Sequence, residues 1–204
     1  MEFNSFIRKF VNFHSQNSIL REPLHRVIED FKNNNRDYGL CLEFGVWHGN
    51  TISHIKKELS DWDIYGFDSF EGLPERWDRS DDDRFQEGFF NLDGIVPKLD
   101  PKIKLIKGWF DNTLPEWLKN YHYNQIDLLH IDCDIYSSTA TVLKYCQNLI
   151  KKNTIIVFDE LINYANCEDH EIKAFYEFIN DTKMQFRILY SGGYNLEKIA
   201  IIME

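Results

Sequence analysis

Basic clusters, cysteine pairs and long apolar runs are all scarce in this 204-residue chain. With 23 Lys and Arg against 33 Asp and Glu, the formal charge is −10. No Lys/Arg cluster interrupts it, which argues against nucleic acid or an anionic membrane as the main partner, since both are bound through basic patches. The four cysteines, Cys41, Cys133, Cys146 and Cys167, form no Cys-x-x-Cys pair and no framework spacing. They read as reduced thiols of a cytoplasmic protein. No apolar run approaches the ~20 residues of a membrane span, and MEFNSFIRKF lacks the apolar core and cleavage site of a secretory signal. Hydrophobic content of 43% and charged content of 27% argue against disorder. The length suits one domain over residues 1–204, with a helical segment at 1–35 and a core at 36–204.

Glycine is informative by where it is missing. Leu40–Gly45 reads as a buried strand, followed by the turn Gly45-Val46-Trp47-His48-Gly49-Asn50-Thr51 and a helix through Leu59. A dinucleotide fingerprint needs a glycine where Trp47 stands, and a P-loop needs a Gly-Lys-Ser/Thr that is absent. Gly45 and Gly49, with Glu43 upstream, instead suit a ligand ending in an amino acid. Glu43 then orients the loop or receives an ammonium, while glycine amides meet a carboxylate. The next strand, Asp63–Phe67, ends in Asp68, the usual position for an acceptor of ribose hydroxyls. Ser69, Phe70 and the turn to Pro74 follow, and Phe70 is an aromatic able to lie on a purine. A third strand, Lys102–Lys107, ends in Gly108-Trp109-Phe110-Asp111, where Trp109 and Phe110 suit the walls of a base. A helix opens at Asn112-Thr113-Leu114-Pro115.

The strongest signal is Ile126–Thr139, IDLLHIDCDIYSST, an apolar run ending in Asp132 and Asp134, then Tyr136 and a Ser-Ser-Thr cap. A second run, Thr154–Phe158, ends in Asp159-Glu160. Ligands of open α/β sheets bind beyond the carboxyl ends of the strands, and carboxylates gathered there call for a cation. His130, inside the strand, reads as a packed core residue; His170 is a candidate contact to acceptor or metal; His48 lines the turn. Residues 75–101, with Asp78, Asp81, Asp82 and Asp83, read as a solvated face, in a loop long enough to cover a site. Phe3, Phe6, Ile7, Phe10 and Phe13 recur at helical spacing and read as core, the alternatives being a lid or a dimer surface. Helices are expected over Ser137–Lys151 and Glu171–Ile179. Phe186–Tyr190 and Leu196–Met203 read as a closing antiparallel pair.

Taken together, Glu43-Phe44-Gly45-Val46-x-x-Gly49, Gly66-Phe67-Asp68-Ser69-Phe70-Glu71-Gly72-Leu73-Pro74, His130-Ile131-Asp132-Cys133-Asp134-x-Tyr136-x-Ser138-Thr139 and Phe158-Asp159-Glu160 resemble class I S-adenosylmethionine-dependent methyltransferases. The nearest subgroup is the macrocin/mycinamicin-type, metal-dependent sugar O-methyltransferases. The resemblance covers residues 40–180. It implies a Rossmann-like α/β fold with a seven-stranded, mostly parallel sheet of order 3-2-1-4-5-7-6 and helices on both faces. It implies Mg²⁺ held by Asp132, Asp159 and Glu160, and Asp134 as general base. S-adenosylmethionine would contact Glu43, Gly45, Val46, Gly49, Asn50, Thr51, Asp68, Ser69, Phe70, Gly108, Trp109, Phe110, Asp132 and Tyr136. The acceptor would be a sugar hydroxyl of a glycan or glycosylated metabolite, and a homodimer is compatible with it. Two residues depart from the pattern: Glu160 stands for a usual Asp and Cys133 for a usual Gly. The longer Glu160 carboxylate can reach the metal, bind it through water, or leave it. The extended N-terminal region of antibiotic-tailoring members is expected to be lacking, so their acceptors do not transfer. A catechol-type methyltransferase, a metal-dependent hydrolase and a non-catalytic subunit are the rival readings.

Overall fold

The computed structural model describes residues 2–79 and 83–204; Asp81 and Asp82 of the expected charge run lie outside them. Two helices, α1 (Phe3–Asn17) and α2 (Pro23–Asn33), precede the first strand. The strands are β1 (Leu40–Phe44), β2 (Asp63–Asp68), β3 (Ile103–Lys107), β4 (Leu128–Ile131), β5 (Ile155–Phe158), β6 (Phe186–Gly192) and β7 (Lys198–Met203). Between them lie α3 (Asn50–Glu58), α4 (Phe110–Lys119), α5 (Tyr136–Cys146) and α6 (Glu171–Thr182). All seven strands join one sheet in the order β3-β2-β1-β4-β5-β7-β6. The first five are parallel, and β7 runs antiparallel to both β5 and β6. This is the expected Rossmann-like arrangement.

The apolar runs of β1, β4 and β5, broken only by Glu43 and His130, follow from burial on both faces. On one face, Leu40, Leu42 and Phe44 pack with Phe6 and Phe10 of α1, Leu114 of α4, Val142 of α5 and Phe175 of α6. On the other, Cys41 and Ile64 meet Leu24 and Val27 of α2 and Ile52 and Ile55 of α3. The N-terminal aromatics are therefore core: Phe10 stacks on Phe186 of the edge strand β6, with ring centroids 5.7 Å apart. Phe6 and Phe10 are fully buried in that core, which spends them on packing rather than on a lid. All four cysteines are free. Among the described residues no helix is long and apolar enough to cross a membrane.

Several boundaries move. Helix α4 begins at Phe110 rather than Asn112, because Trp109 takes an extended N-cap conformation, which leaves Pro115 inside the helix. Helix α5 stops at Cys146, short of Lys151, and α6 runs on to Thr182, where Lys183 adopts left-handed backbone.

Candidate active site

The strand order reverses between β1 and β4, and the two strand tips there approach closely. Gly45 has φ +90°, and a Cβ on it would lie 1.6 Å from the Asp132 carbonyl oxygen. Only glycine permits both the backbone conformation and the contact. The Gly45 N–H donates to the Phe67 carbonyl at the end of β2. Asp68 then closes the turn: its Oδ2 accepts the Val46 and Trp47 N–H groups, each at 2.7 Å, and its Oδ1 accepts that of Phe70 at 2.7 Å. Gly49, in left-handed backbone at φ +80°, caps α3.

Beyond these tips opens a cavity of about 680 Å³. Of the residues expected from the sequence, Gly45, Val46, Asn50, Thr51, Asp68, Ser69, Trp109, Phe110, Asp132, Asp134 and Glu160 line it, as does His48. Gly49, Gly108 and Asp159 stand behind the lining. Four expectations need correction. Phe70 takes left-handed backbone (φ +58°) and turns its ring into the core, so it does not lie on a purine. The Tyr136 hydroxyl donates to Glu177 at 2.6 Å, away from the cavity. Glu43 is fully buried and bonded to His130 Nδ1 at 3.0 Å, so it meets no ligand ammonium. His170 is buried too, its Nε2 donating to the Asp78 carbonyl at 3.1 Å, so its imidazole is committed to the protein.

Carboxylates dominate the far end. Oxygens of Asp132, Asp134 and Glu160 lie within 4.8 Å of one another. Glu160 Oε2 is buried and, among the described residues, unpartnered. Enclosure and the negative charge of Asp159 push Asp134 up to about 7, against the opposing pull of Arg79. Asp132 and Glu160 rise well above the ordinary carboxyl range for the same two reasons. Glu171, at the start of α6, is buried with neither oxygen hydrogen-bonded among the described residues, and burial likewise raises it.

Asp159 is treated differently. Although burial would raise its pKa, His130 and Lys198 hold it well below the ordinary value. Its Oδ1 lies 2.7 Å from Lys198 Nζ and 3.6 Å from His130 Nε2. Lys198 reaches on to Glu22 at 3.1 Å. Glu43, His130, Asp159, Lys198 and Glu22 thus form a line of charges across the sheet. Burial would lower the His130 pKa, but carboxylates on both sides lift it to about 10. His130, Asp132 and Asp159 form a second group whose candidate ligand atoms lie within 4.8 Å of one another.

The sequence reading missed Trp47, Trp77, Arg79, Phe85, Phe90, Asn195 and Glu197, which also line the cavity. Arg79 pairs with Glu197 through two contacts, at 2.9 and 3.4 Å, and its guanidinium lies 4.5 Å from the Tyr164 ring centroid. The signal available was the concentration of aromatics at 77, 85, 89 and 90 in an otherwise polar stretch. That cluster packs Leu73, Trp77, Ile135 and Tyr164 together with Phe85, Phe89 and Phe90.

Comparison with known proteins agrees with this architecture. A curated relative, demethyldecarbamoylnovobiocin O-methyltransferase of Streptomyces niveus, is 24% identical over 182 residues, covering 78% of this chain and 66% of that protein. The chain thus spans slightly under two thirds of that relative's length. The O-methyltransferase NovP superposes with a TM-score of 0.64 at 20% identity, covering 87% of this chain and 76% of the other. CalS11, a calicheamicin methyltransferase also described as a TDP-rhamnose 3'-O-methyltransferase, gives 0.62 at 19% identity, covering 98% and 91%. The model of the macrocin O-methyltransferase (TylF) family matches residues 20–188, and the chain belongs to that family.

Proposed function

We propose that this enzyme transfers the methyl group of S-adenosylmethionine to a sugar hydroxyl, with Mg²⁺ at the acidic cluster and Asp134 as general base. One observation carries the reading: a single cavity joins the glycine turn and Asp68 to Asp132, Asp134 and Glu160. The turn end suits the cofactor. Asp68 has given three of its roughly four lone-pair sites to backbone N–H groups, which fixes the turn and leaves capacity for a ribose hydroxyl. Trp109 and Phe110 offer walls for adenine, and Gly45, Asn50 and Thr51 face the methionine end.

The donor chemistry fits a hard divalent cation. Three carboxylates share one site, one with a buried unpartnered oxygen, and all three are pushed toward protonation by burial and by the charge of Asp159. Asp132 and Glu160 would hold Mg²⁺ beside Asp134. When bound, the ion would supply charge neutralisation and lower the pKa of the acceptor's hydroxyl. The methyl sulfonium is already an activated electrophile, so the protein's task is alignment, worth about 7–11 kcal/mol when a nucleophile is held in line. Asp134 takes the hydroxyl proton. It lines the cavity beside Asp132 and Glu160 and so is placed to accept it.

Beyond Asp134 the cavity presents Arg79, Asn195 and Glu197. These polar groups favour a hydroxyl-rich acceptor over a catechol, and Trp77 and Phe85 offer faces to the C–H side of a sugar ring. The test is a methyl-transfer screen over free and glycosidically linked sugars, with and without Mg²⁺, alongside calorimetry of S-adenosylmethionine binding. Asp134→Asn is expected to keep cofactor affinity and lose about 100-fold or more in kcat. Unchanged turnover would remove Asp134 from the mechanism, and absent cofactor binding would remove the reading itself.

A further inference from the structure

The cavity wall carries six carboxylates but, among the described residues, one Lys or Arg, which is Arg79. Its guanidinium donates to both oxygens of Glu197, at 2.9 and 3.4 Å, and lies 4.5 and 4.9 Å from the ring centroids of Tyr164 and Trp77. Both charged side chains are largely withdrawn from solvent, at 14% and 8% exposure. Distant parts of the chain supply them. Arg79 belongs to the segment between β2 and β3, while Glu197 precedes β7, and its carbonyl accepts the Leu161 and Ile162 N–H groups just past Glu160. The pair therefore links two walls of the cavity at its acceptor end, near enough for Arg79 to oppose the rise in the Asp134 pKa. Glu197 spends two of its roughly four lone-pair sites on Arg79, which leaves it able to accept from hydroxyls. An anion fares worse there. It would face the Glu197 charge in a poorly hydrated wall, and drawing Arg79 away would strand a buried carboxylate.

We propose that Arg79 and Glu197 are the acceptor-reading pair of this enzyme: Glu197 takes a hydroxyl of the sugar beside Asp134, and its charge turns away sugars that carry a carboxylate or phosphate. This rests on the sugar-acceptor reading above and deepens it, because it makes the accepted sugar an uncharged one. The pair governs the choice of acceptor; the proton transfer stays with Asp134. Arg79 holds the Glu197 carboxylate in place by a two-pronged, charge-assisted contact.

Glu197→Gln keeps the shape of the side chain and removes its charge. Methyl transfer from S-adenosylmethionine, with Mg²⁺ present, is compared between methyl glycosides of hexoses and 6-deoxyhexoses and those of hexuronates, which add a carboxylate. Wild type is expected to favour the uncharged sugars about tenfold or more in kcat/KM. Glu197→Gln should cut that preference about tenfold, raising KM for the uncharged sugars while gaining on the hexuronates, with the Kd of S-adenosylmethionine unchanged. A pair that merely stapled the wall would lower both kinds of acceptor alike. Unchanged preference in Glu197→Gln, or a wild type that takes hexuronates as well as or better than uncharged sugars, overturns the proposal. Should Glu197→Gln fail to fold, the wild-type salt dependence decides. Added KCl screens repulsion, so the ratio of hexuronate to uncharged-sugar turnover should rise with it, and a level or falling ratio overturns the proposal. If wild type binds S-adenosylmethionine but methylates no sugar of either kind, the sugar-acceptor reading is wrong and this inference falls with it.

Discussion

Raising the pH from 5 to 8 in EDTA should destabilise this protein, and Mg²⁺ should return much of what is lost. The argument starts from two buried groups whose protons the folded state holds too tightly. Asp134 titrates near 7 when folded against 3.8 in an ordinary carboxyl, and His130 near 10 against 6.5. A group raised on folding contributes stability that is complete below its unfolded pKa and disappears as the pH climbs to its folded one. The window is therefore about 4 to 7 for Asp134 and 6.5 to 10 for His130. At about 1.4 kcal/mol per unit, Asp134 loses roughly 2.7 kcal/mol between pH 5 and 7, and His130 about 2 kcal/mol between 6.5 and 8. Asp132 and Glu160, also raised, act in the same direction. Asp159, held low, has gained its stabilisation by pH 5 and adds no slope. Carboxylates sharing a site release protons over a broadened range, so about 3 kcal/mol is the expected loss between pH 5 and 8. Urea unfolding followed by circular dichroism at each pH measures it. Mg²⁺ binding only to the folded state stabilises by about 2.7 kcal/mol at 100 times its Kd, and more of this should appear at pH 8, where the carboxylates are ionised. Asp134→Asn should flatten the metal-free slope. Stability that stays level or rises from pH 5 to 8 in EDTA would refute the electrostatic account of the cluster.

The remaining expectations concern the frame around the cluster. Asp68→Asn keeps the shape but surrenders one acceptor oxygen that braces the turn or Phe70; it should weaken cofactor binding about tenfold and cost about 1–2 kcal/mol in stability, by calorimetry and denaturation. Gly45→Ala would drive a methyl into the Asp132 backbone and should cost about 4 kcal/mol or more. Gly88→Ala, where no atom lies within 4 Å of the added carbon, should cost only about 1 kcal/mol for its backbone conformation; equal effects would show that the β1–β4 approach is not tight. Phe10→Ala, at a fully buried ring, should cost about 3–5 kcal/mol without changing substrate KM in the surviving folded fraction. A raised KM at unaltered stability would return α1 to the role of a lid.

What the sequence disclosed about the site depends on how far apart the deciding partners are. Asp68, Asp132, Asp134 and Glu160 end apolar runs, and an acid at the tip of a buried strand has few places to go but the crevice beyond it. The two walls Trp109 and Phe110 were legible for the same reason. Glu43 has identical local credentials, two residues before a glycine turn, yet it is lost to the site because β1 and β4 pair Glu43 opposite His130, 87 residues on. Phe70 was misjudged through a single backbone angle, and Arg79 was invisible because Glu197, its partner, lies 118 residues away. Asp159 shows the principle most sharply. Neighbouring Glu160 leaves an oxygen unpartnered among the described residues, whereas Asp159 is met by Lys198 from β7 and His130 from β4. Strand position brings a carboxylate to the edge of the site; which groups of the chain then meet it is settled by register between strands far apart in sequence.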